Sequence, residues 1–228
     1  MNAKKIALTV FLLNAALSVW FALDTAAYLP WADISKYLLM PLLAVYAACA
    51  LPRHAPHKPL LFLGLLFYCG GDTLLTMVER SDLFFTLGLA SFLVGHVFFV
   101  LYFLKSRFSN RTHLHVVWFA LPLMYAAGYL WYLNGRLGDM LPFVVAYALA
   151  LSAIAAAAML RYGKTNSMSF TITLIGTLLF VGSDSMIGIN RFHHPIAHAD
   201  FLIMSTYISA VFLMVQGCLL HPSQKNQS

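Results

Sequence analysis

Charge is what this chain has least of. Of its 228 residues only 10% are Asp, Glu, Lys or Arg, against about 25% in soluble domains. With 61% hydrophobic residues and a mean hydropathy of +0.79, that scarcity excludes an ordinary soluble domain and places nearly the whole chain in a membrane. Cysteine is equally sparse. Cys49, Cys69 and Cys218 are scattered through apolar runs without a CxxC pair, which excludes a disulfide framework and a metal–thiolate site and reads as small buried hydrophobes. The net charge is +6, but no Lys/Arg stripe interleaves with aromatics. The basic residues fall in short gaps between apolar runs, where membrane topology explains them, so no nucleic-acid partner is expected.

What the chain does have is long apolar runs. Eight are long enough to span a bilayer, at about 6–23, 34–51, 59–77, 83–104, 114–133, 140–160, 168–187 and 201–220. The expected fold is an all-α integral membrane protein of eight transmembrane helices, with residues 1–228 forming one transmembrane domain. The gaps are short, so consecutive helices are expected to be antiparallel neighbours, and the polar tail from His221 to Ser228 is expected to fray. The first run follows Lys4-Lys5 as a signal peptide would, yet it has spanning length and is read as an uncleaved first helix.

Lys and Arg set the orientation. With the N-terminus in the cytoplasm, Lys4, Lys5, Arg53, Lys58, Lys105, Arg107, Arg111, Arg161, Lys164 and Lys225 lie inside, and Lys36, Arg80, Arg136 and Arg191 lie outside. This positive-inside bias predicts cytoplasmic N- and C-termini, in a bacterial inner-membrane setting. Asp24, Asp33, Glu79, Asp82, Asp139 and Asp200 all fall at outer helix ends.

The two remaining acids sit inside apolar runs that are near copies. LGLLFYCGGDTLL (63–75) and IGTLLFVGSDSMI (175–187) align Asp72 with Asp184, Gly64 with Gly176 and Gly70 with Gly182, at an offset of 112 residues. Both runs cross in the same direction, so the expected repeat is a parallel four-plus-four one, unlike the inverted repeats of many transporters. Gly70-Gly71 and Gly182-Ser183 are expected to permit close helix approach. Counted from the expected helix ends, both acids lie roughly 5–6 Å below the outer surface. Carboxylates in membrane helices are costly and usually functional. From the residues alone, three uses remain open: an inter-helix hydrogen bond or ion pair, a proton or cation pathway, and an enzyme site.

Other polar residues gather at the same end. Lys36 opens the second helix. Tyr68 is one turn before Asp72 on the same face. Asn190, Arg191, His193, His194, His198 and Asp200 lie in or near the last outer gap. His96, midway along the fourth helix, is either a satisfied structural group or a functional one. HHPIAH lacks HExxH order and any neighbouring Cys, and reads as a polar loop; no metal or cofactor is expected. Ser183 and Ser185 lack a Gly-x-Ser-x-Gly setting, which argues against serine hydrolysis.

SKYLLMP (35–41), GDTLL (71–75), SFLVGH (91–96), GSDSMIGINRF (182–192) and the Tyr207/Gln216 arrangement in the last helix together resemble the YhhN/TMEM86 family of lysoplasmalogenases. The likeness covers about residues 30–217, and it rests on the order and spacing of short motifs. It implies hydrolysis of the vinyl ether bond of a lysoplasmalogen to a fatty aldehyde and a glycerophospho-headgroup. It also implies catalytic roles for Asp72 and Asp184, supporting roles for His96, Tyr68 and Asn190, and headgroup binding by Lys36 and Arg191. The implied partners are a lyso-ether phospholipid and membrane lipid. Such chemistry suits paired acids. A vinyl ether yields to acid, and two neighbouring carboxylates can share one proton because their like charges disfavour double ionisation. The alternatives are a small proton-coupled transporter and a non-catalytic lipid-binding membrane protein.

Overall fold

The computed structural model describes residues 2–106 and 117–221. Its helices are α1 (Ala3–Phe21), α2 (Trp31–Ala50), α3 (Lys58–Leu75), α4 (Asp82–Lys105), α5 (Val117–Tyr132), α6 (Leu141–Met159), α7 (Ser167–Phe192) and α8 (Ala199–Leu219). Short 3₁₀ turns at Val78–Arg80 and Gly138–Met140 precede α4 and α6. Seven of these segments are long and apolar enough to cross a membrane. The other, α5, has 16 described residues. The protein is an all-α integral membrane protein. The expected start of the fifth helix at 114, the charges Arg107, Arg111 and Lys225, and the tail beyond His221 lie outside the described residues.

Local signals account for the helix starts. Asn2, Ser81 and Asn166 cap α1, α4 and α7 by accepting a backbone N–H two residues on. Proline sits in the first turn of α3 and of α6, where its missing N–H costs nothing. Large apolar side chains such as Leu13, Trp20, Leu66, Met124 and Trp131 point outward, as lipid-facing residues do. Small and polar side chains point inward: Ser18, Ser35, His96, Ser152, Ser169, Thr173, Thr177 and Ser183 are buried.

Six helices enclose the interior. α2, α3, α4, α6, α7 and α8 follow one another, each packed on the next, and α8 returns to α2; α1 lies outside against α2 and α8, and α5 lies outside against α6. Among the described residues, the expectation that all consecutive helices are close neighbours is not met between α4 and α5. α4 packs on α6, and α5 leans on α6 from the periphery. Side-chain fit, rather than chain order, chooses that neighbour.

The tightest pairs are α3 with α4 and α7 with α8. A Cβ on Gly64 would meet the Phe99 ring at 2.8 Å, and one on Gly71 would meet the Phe92 ring at 2.6 Å. On α7, a Cβ on Gly176 would lie 2.7 Å from the Ala210 carbonyl oxygen and 2.8 Å from the Met214 nitrogen. These glycines do permit close approach. Gly182 does not: nothing lies within 4 Å of where its Cβ would be.

The end of α7 also differs from expectation. The helix continues past Ile187 to Phe192, so Asn190 and Arg191 belong to its last turns and not to the following gap. Asp184 stands eight residues before that end, about 12 Å, whereas Asp72 stands three before the end of α3, about 4.5 Å. Counting from helix ends is therefore no measure of their shared depth.

Candidate active site

A cavity of about 430 Å³ opens inside the ring of helices. Its lining comes from five of them: Lys36 on α2, Asp72 on α3, Phe85 and Phe92 on α4, Asp184, Asn190 and Arg191 on α7, and Tyr207 on α8. Both aspartates are half-buried and line this cavity. Local packing aims them. Gly71, one residue before Asp72, is pressed onto Phe92, and Ser183, one residue before Asp184, donates to the Ile203 carbonyl of α8 at 3.1 Å. Each contact fixes the rotation of its helix.

Each carboxylate accepts a hydrogen bond from one buried tyrosine. Tyr207 on α8 donates to Asp72 at 2.9 Å, and Tyr147 on α6 donates to Asp184 at 2.5 Å. No Lys or Arg makes an ion pair with either acid among the described residues. The two phenols were not singled out from sequence as site residues. Tyr207 entered only as part of the family resemblance, with no role given; Tyr147 showed only a hydroxyl inside an apolar helix, which needs a partner when buried, and eleven tyrosines share that signal.

His96 and Tyr68 stand behind the cavity wall. The His96 ring is fully buried, packed 4.9 Å from Phe180, 5.4 Å from Tyr68 and 5.6 Å from Tyr147 between ring centres. Its Nδ1 lies 2.6 Å from the Phe92 carbonyl oxygen. A carbonyl only accepts, so Nδ1 carries a proton. The His96 Nε2 and the Tyr68 hydroxyl have no hydrogen-bond partner among the described atoms. Tyr68 is thus part of an aromatic cluster with Phe92, Phe99 and Phe180 and does not line the cavity with Asp72.

The mouth carries the cations. Lys36, half-buried on the second turn of α2, lies within coulombic reach of Asp72. Arg191 pairs with Asp82 at the start of α4 and lies over the Phe85 ring, 5.4 Å from its centre. Asn190 Oδ1 accepts the Ile196 N–H at 2.8 Å and so shapes the loop before α8. Asp200 accepts from Thr25 at 2.8 Å. In the same loop the His193 ring stacks on Tyr132 at the end of α5, 4.4 Å between ring centres, and His193 Nδ1 lies 2.6 Å from His194 Nδ1. His198, with φ of 55°, turns the chain into α8. Among the described residues no three His, Cys, Asp or Glu side chains gather at one point.

The fold and cavity define a class: a compact multi-helix membrane protein with two carboxylates on one interior cavity. Within that class the chain belongs to the YhhN family, whose pattern matches residues 31–218. It is similar to the pig protein named lysoplasmalogenase TMEM86B, with 31% identity over 161 residues, 71% of this chain and 64% of that protein. The human protein named lysoplasmalogenase TMEM86A shares 30% over 164 residues, 70% of this chain and 65% of that one. The matched region thus spans just under two thirds of these relatives. No solved structure matches the chain.

Proposed function

We propose that the protein is a membrane lysoplasmalogenase-type hydrolase, with Asp72 and Asp184 as an acid–base pair acting on the vinyl ether of a lyso-ether phospholipid. The observation that carries this reading is the placement of both acids, from α3 and α7, on one cavity whose mouth holds Lys36 and Arg191. The names of the relatives supply the substrate class.

The chemistry follows from the lining. One carboxylic acid gives its proton to the β-carbon of the vinyl ether, and the π pair forms the new C–H bond. The resulting oxocarbenium ion lies beside the other, anionic carboxylate, which stabilises it at short range. Water adds at the α-carbon and passes a proton to a carboxylate, restoring the pair. The hemiacetal then breaks its bond to the glycerol oxygen, which takes the hydroxyl proton, releasing aldehyde and alcohol. One water is consumed and no proton is lost. Tyr147 and Tyr207 hold the two carboxylates in position. Asn190 shapes the mouth, and His96 and Tyr68 back the pair from behind. Arg191 holds the phosphate as a planar donor, and Lys36 does so as a point charge.

On this reading the whole chain is one transmembrane domain built as a parallel four-plus-four repeat. What supports the repeat is the shared neighbour order of the two halves: α1 on α2, α2 on α3 and α3 on α4 correspond to α5 on α6, α6 on α7 and α7 on α8. Both termini face the cytoplasm of an inner membrane, and the site opens to the other side.

The test is purified protein in vesicles with a lyso-vinyl-ether phospholipid, with fatty aldehyde measured by mass spectrometry. Stoichiometric aldehyde and glycerophospho-product are expected. Gradient-dependent uptake without aldehyde would replace the reading with a carrier. Saturable lipid binding without product would replace it with a lipid-binding protein.

A further inference from the structure

The acid-lined cavity has a second space beside it. At Asp184 it meets a narrow neck of about 30 Å³, lined by residues of the cavity wall (Leu75, Phe92, Asp184) together with Tyr129, Ala148 and Leu151. Those last three also line a third space, a groove of about 370 Å³ between α5, α6 and α7. The three spaces are neighbours in series: Asp184 and Phe92 line the first two, and Tyr129, Ala148 and Leu151 line the last two.

The groove is made for something apolar. Its polar groups are already satisfied by one another. Ser185 Oγ donates to the Val181 carbonyl at 2.7 Å and accepts from Tyr125 at 2.7 Å. Tyr129 donates to the Ser185 carbonyl at 3.1 Å. Ser152 Oγ lies 2.9 Å from the Ala148 carbonyl and 3.1 Å from that of Pro122. The rest of the lining is aliphatic or aromatic. A polar occupant would find no partner there and would lose its own. The space exists because α5 packs on α6 and reaches α7 through the long side chains of Tyr125 and Tyr129, opposite the bare Gly182. From Ala148 to Met159, α6 lines it for about 16 Å, around half the hydrocarbon thickness of a bilayer.

We propose that this groove is the hydrocarbon-chain subsite of the enzyme, threaded from the cavity through the neck at Asp184. The inference rests on the lipid-hydrolase reading above. A tail leaving the bilayer for the groove exchanges one apolar surrounding for another, so it gains little affinity. What it gains is register: a chain held in the groove keeps its first carbons at the neck, beside Asp184. The groove therefore acts on the catalytic step more than on binding.

The experiment has two arms. In the first, Ala155→Phe and Gly182→Leu are assayed with hexadecenyl and butenyl lyso-vinyl-ether lipids. Gly182→Leu starts from a Cβ that meets nothing within 4 Å, and an unchanged thermal midpoint checks that it folds. Both variants are expected to lose at least about tenfold in kcat on the long chain and to process the short one nearly unchanged. Equal losses on both chains, or none on either, would overturn the proposal. The second arm needs no turnover. A non-hydrolysable alkyl-ether lyso-lipid with a diazirine at its tail end is photolysed with the full-length protein in vesicles. Crosslinks are expected at Leu121, Met159 or Leu178, competed by unlabelled lyso-lipid and lost in Gly182→Leu. Labelling spread equally over the outward residues of α1 would mean boundary lipid and would overturn it. Groove labelling without aldehyde release from the unmodified protein would leave the subsite standing and remove the hydrolase.

Discussion

Two faces of α7 behave in opposite ways. Toward α8 the helix is shut: Gly176 meets backbone atoms of Ala210 and Met214, and Ser183 bonds to the Ile203 carbonyl. Toward α5 it is open at Gly182, which has no neighbour within 4 Å, while the tyrosines of α5 reach across to Ser185. Two glycines six residues apart on one helix thus have different meanings. On the closed face a missing side chain brings two backbones together and fixes the direction of Asp184. On the open face it leaves room. A membrane enzyme that admits a long substrate needs both, since a helix loose on every side could not aim an acid and one tight on every side could not admit a chain.

The comparison can be broken first at the carboxylates. Tyr147→Phe and Tyr207→Phe each remove one O–H donor from a half-buried acid. Hydrogen bonds to charged groups are worth about 1.5–3 kcal/mol, so each variant should lose about tenfold or more in kcat with little change in helix content. Circular dichroism and initial rates on the same preparations check this. Rates equal to the parent in both would mean that the phenols only fill space.

The next effect is on stability. Gly176→Ala places a methyl against α8 backbone that cannot swing aside, and overpacking of this kind costs about 1–3 kcal/mol. Gly182→Ala should be neutral or slightly stabilising, since Ala favours helix more than Gly does. Thermal unfolding of both in the same detergent is the measurement. A lower midpoint for Gly182→Ala than for Gly176→Ala would reverse the assignment of the two faces.

The smallest effect lies at the mouth. Arg191→Gln breaks the exposed pair with Asp82, worth about 0–1 kcal/mol in stability, and should mainly raise KM for phosphate-bearing substrates. Rates on a lyso-vinyl-ether with and without the phosphate separate the roles. Equal loss on both would make Arg191 a strut between α7 and α4 and nothing more.

Much of this architecture was legible in the residues. Spanning runs announce themselves by hydropathy, and Asp72 and Asp184 stood out because charge is so rare around them. The end of α7 was not legible in the same way. Hydropathy falls after Ile187, and it reports the surrounding solvent, whereas the helix persists because Gly188 admits the Tyr129 hydroxyl and Arg191 finds Asp82 and Phe85. The place of α5 was hidden for a related reason: Pro122 and Ser152 join it to α6, a contact that periodicity does not encode. Tyr147 was lost among eleven tyrosines, and Tyr207 stood out only through the family resemblance, because a hydroxyl in an apolar run tells that a partner exists and not which one it is.

The central claim is that Asp72 and Asp184 form one site, and aldehyde release by Asp72→Asn, Asp184→Asn and the double variant tests it most directly. Proton transfer by a positioned group contributes about 10²–10⁴-fold, so each single variant should lose at least about a hundredfold in kcat while remaining folded. Because the two act as a unit, the double variant should be no worse than the poorer single one. Near-normal turnover in either single variant, or losses that multiply in the double, would contradict a shared acid pair.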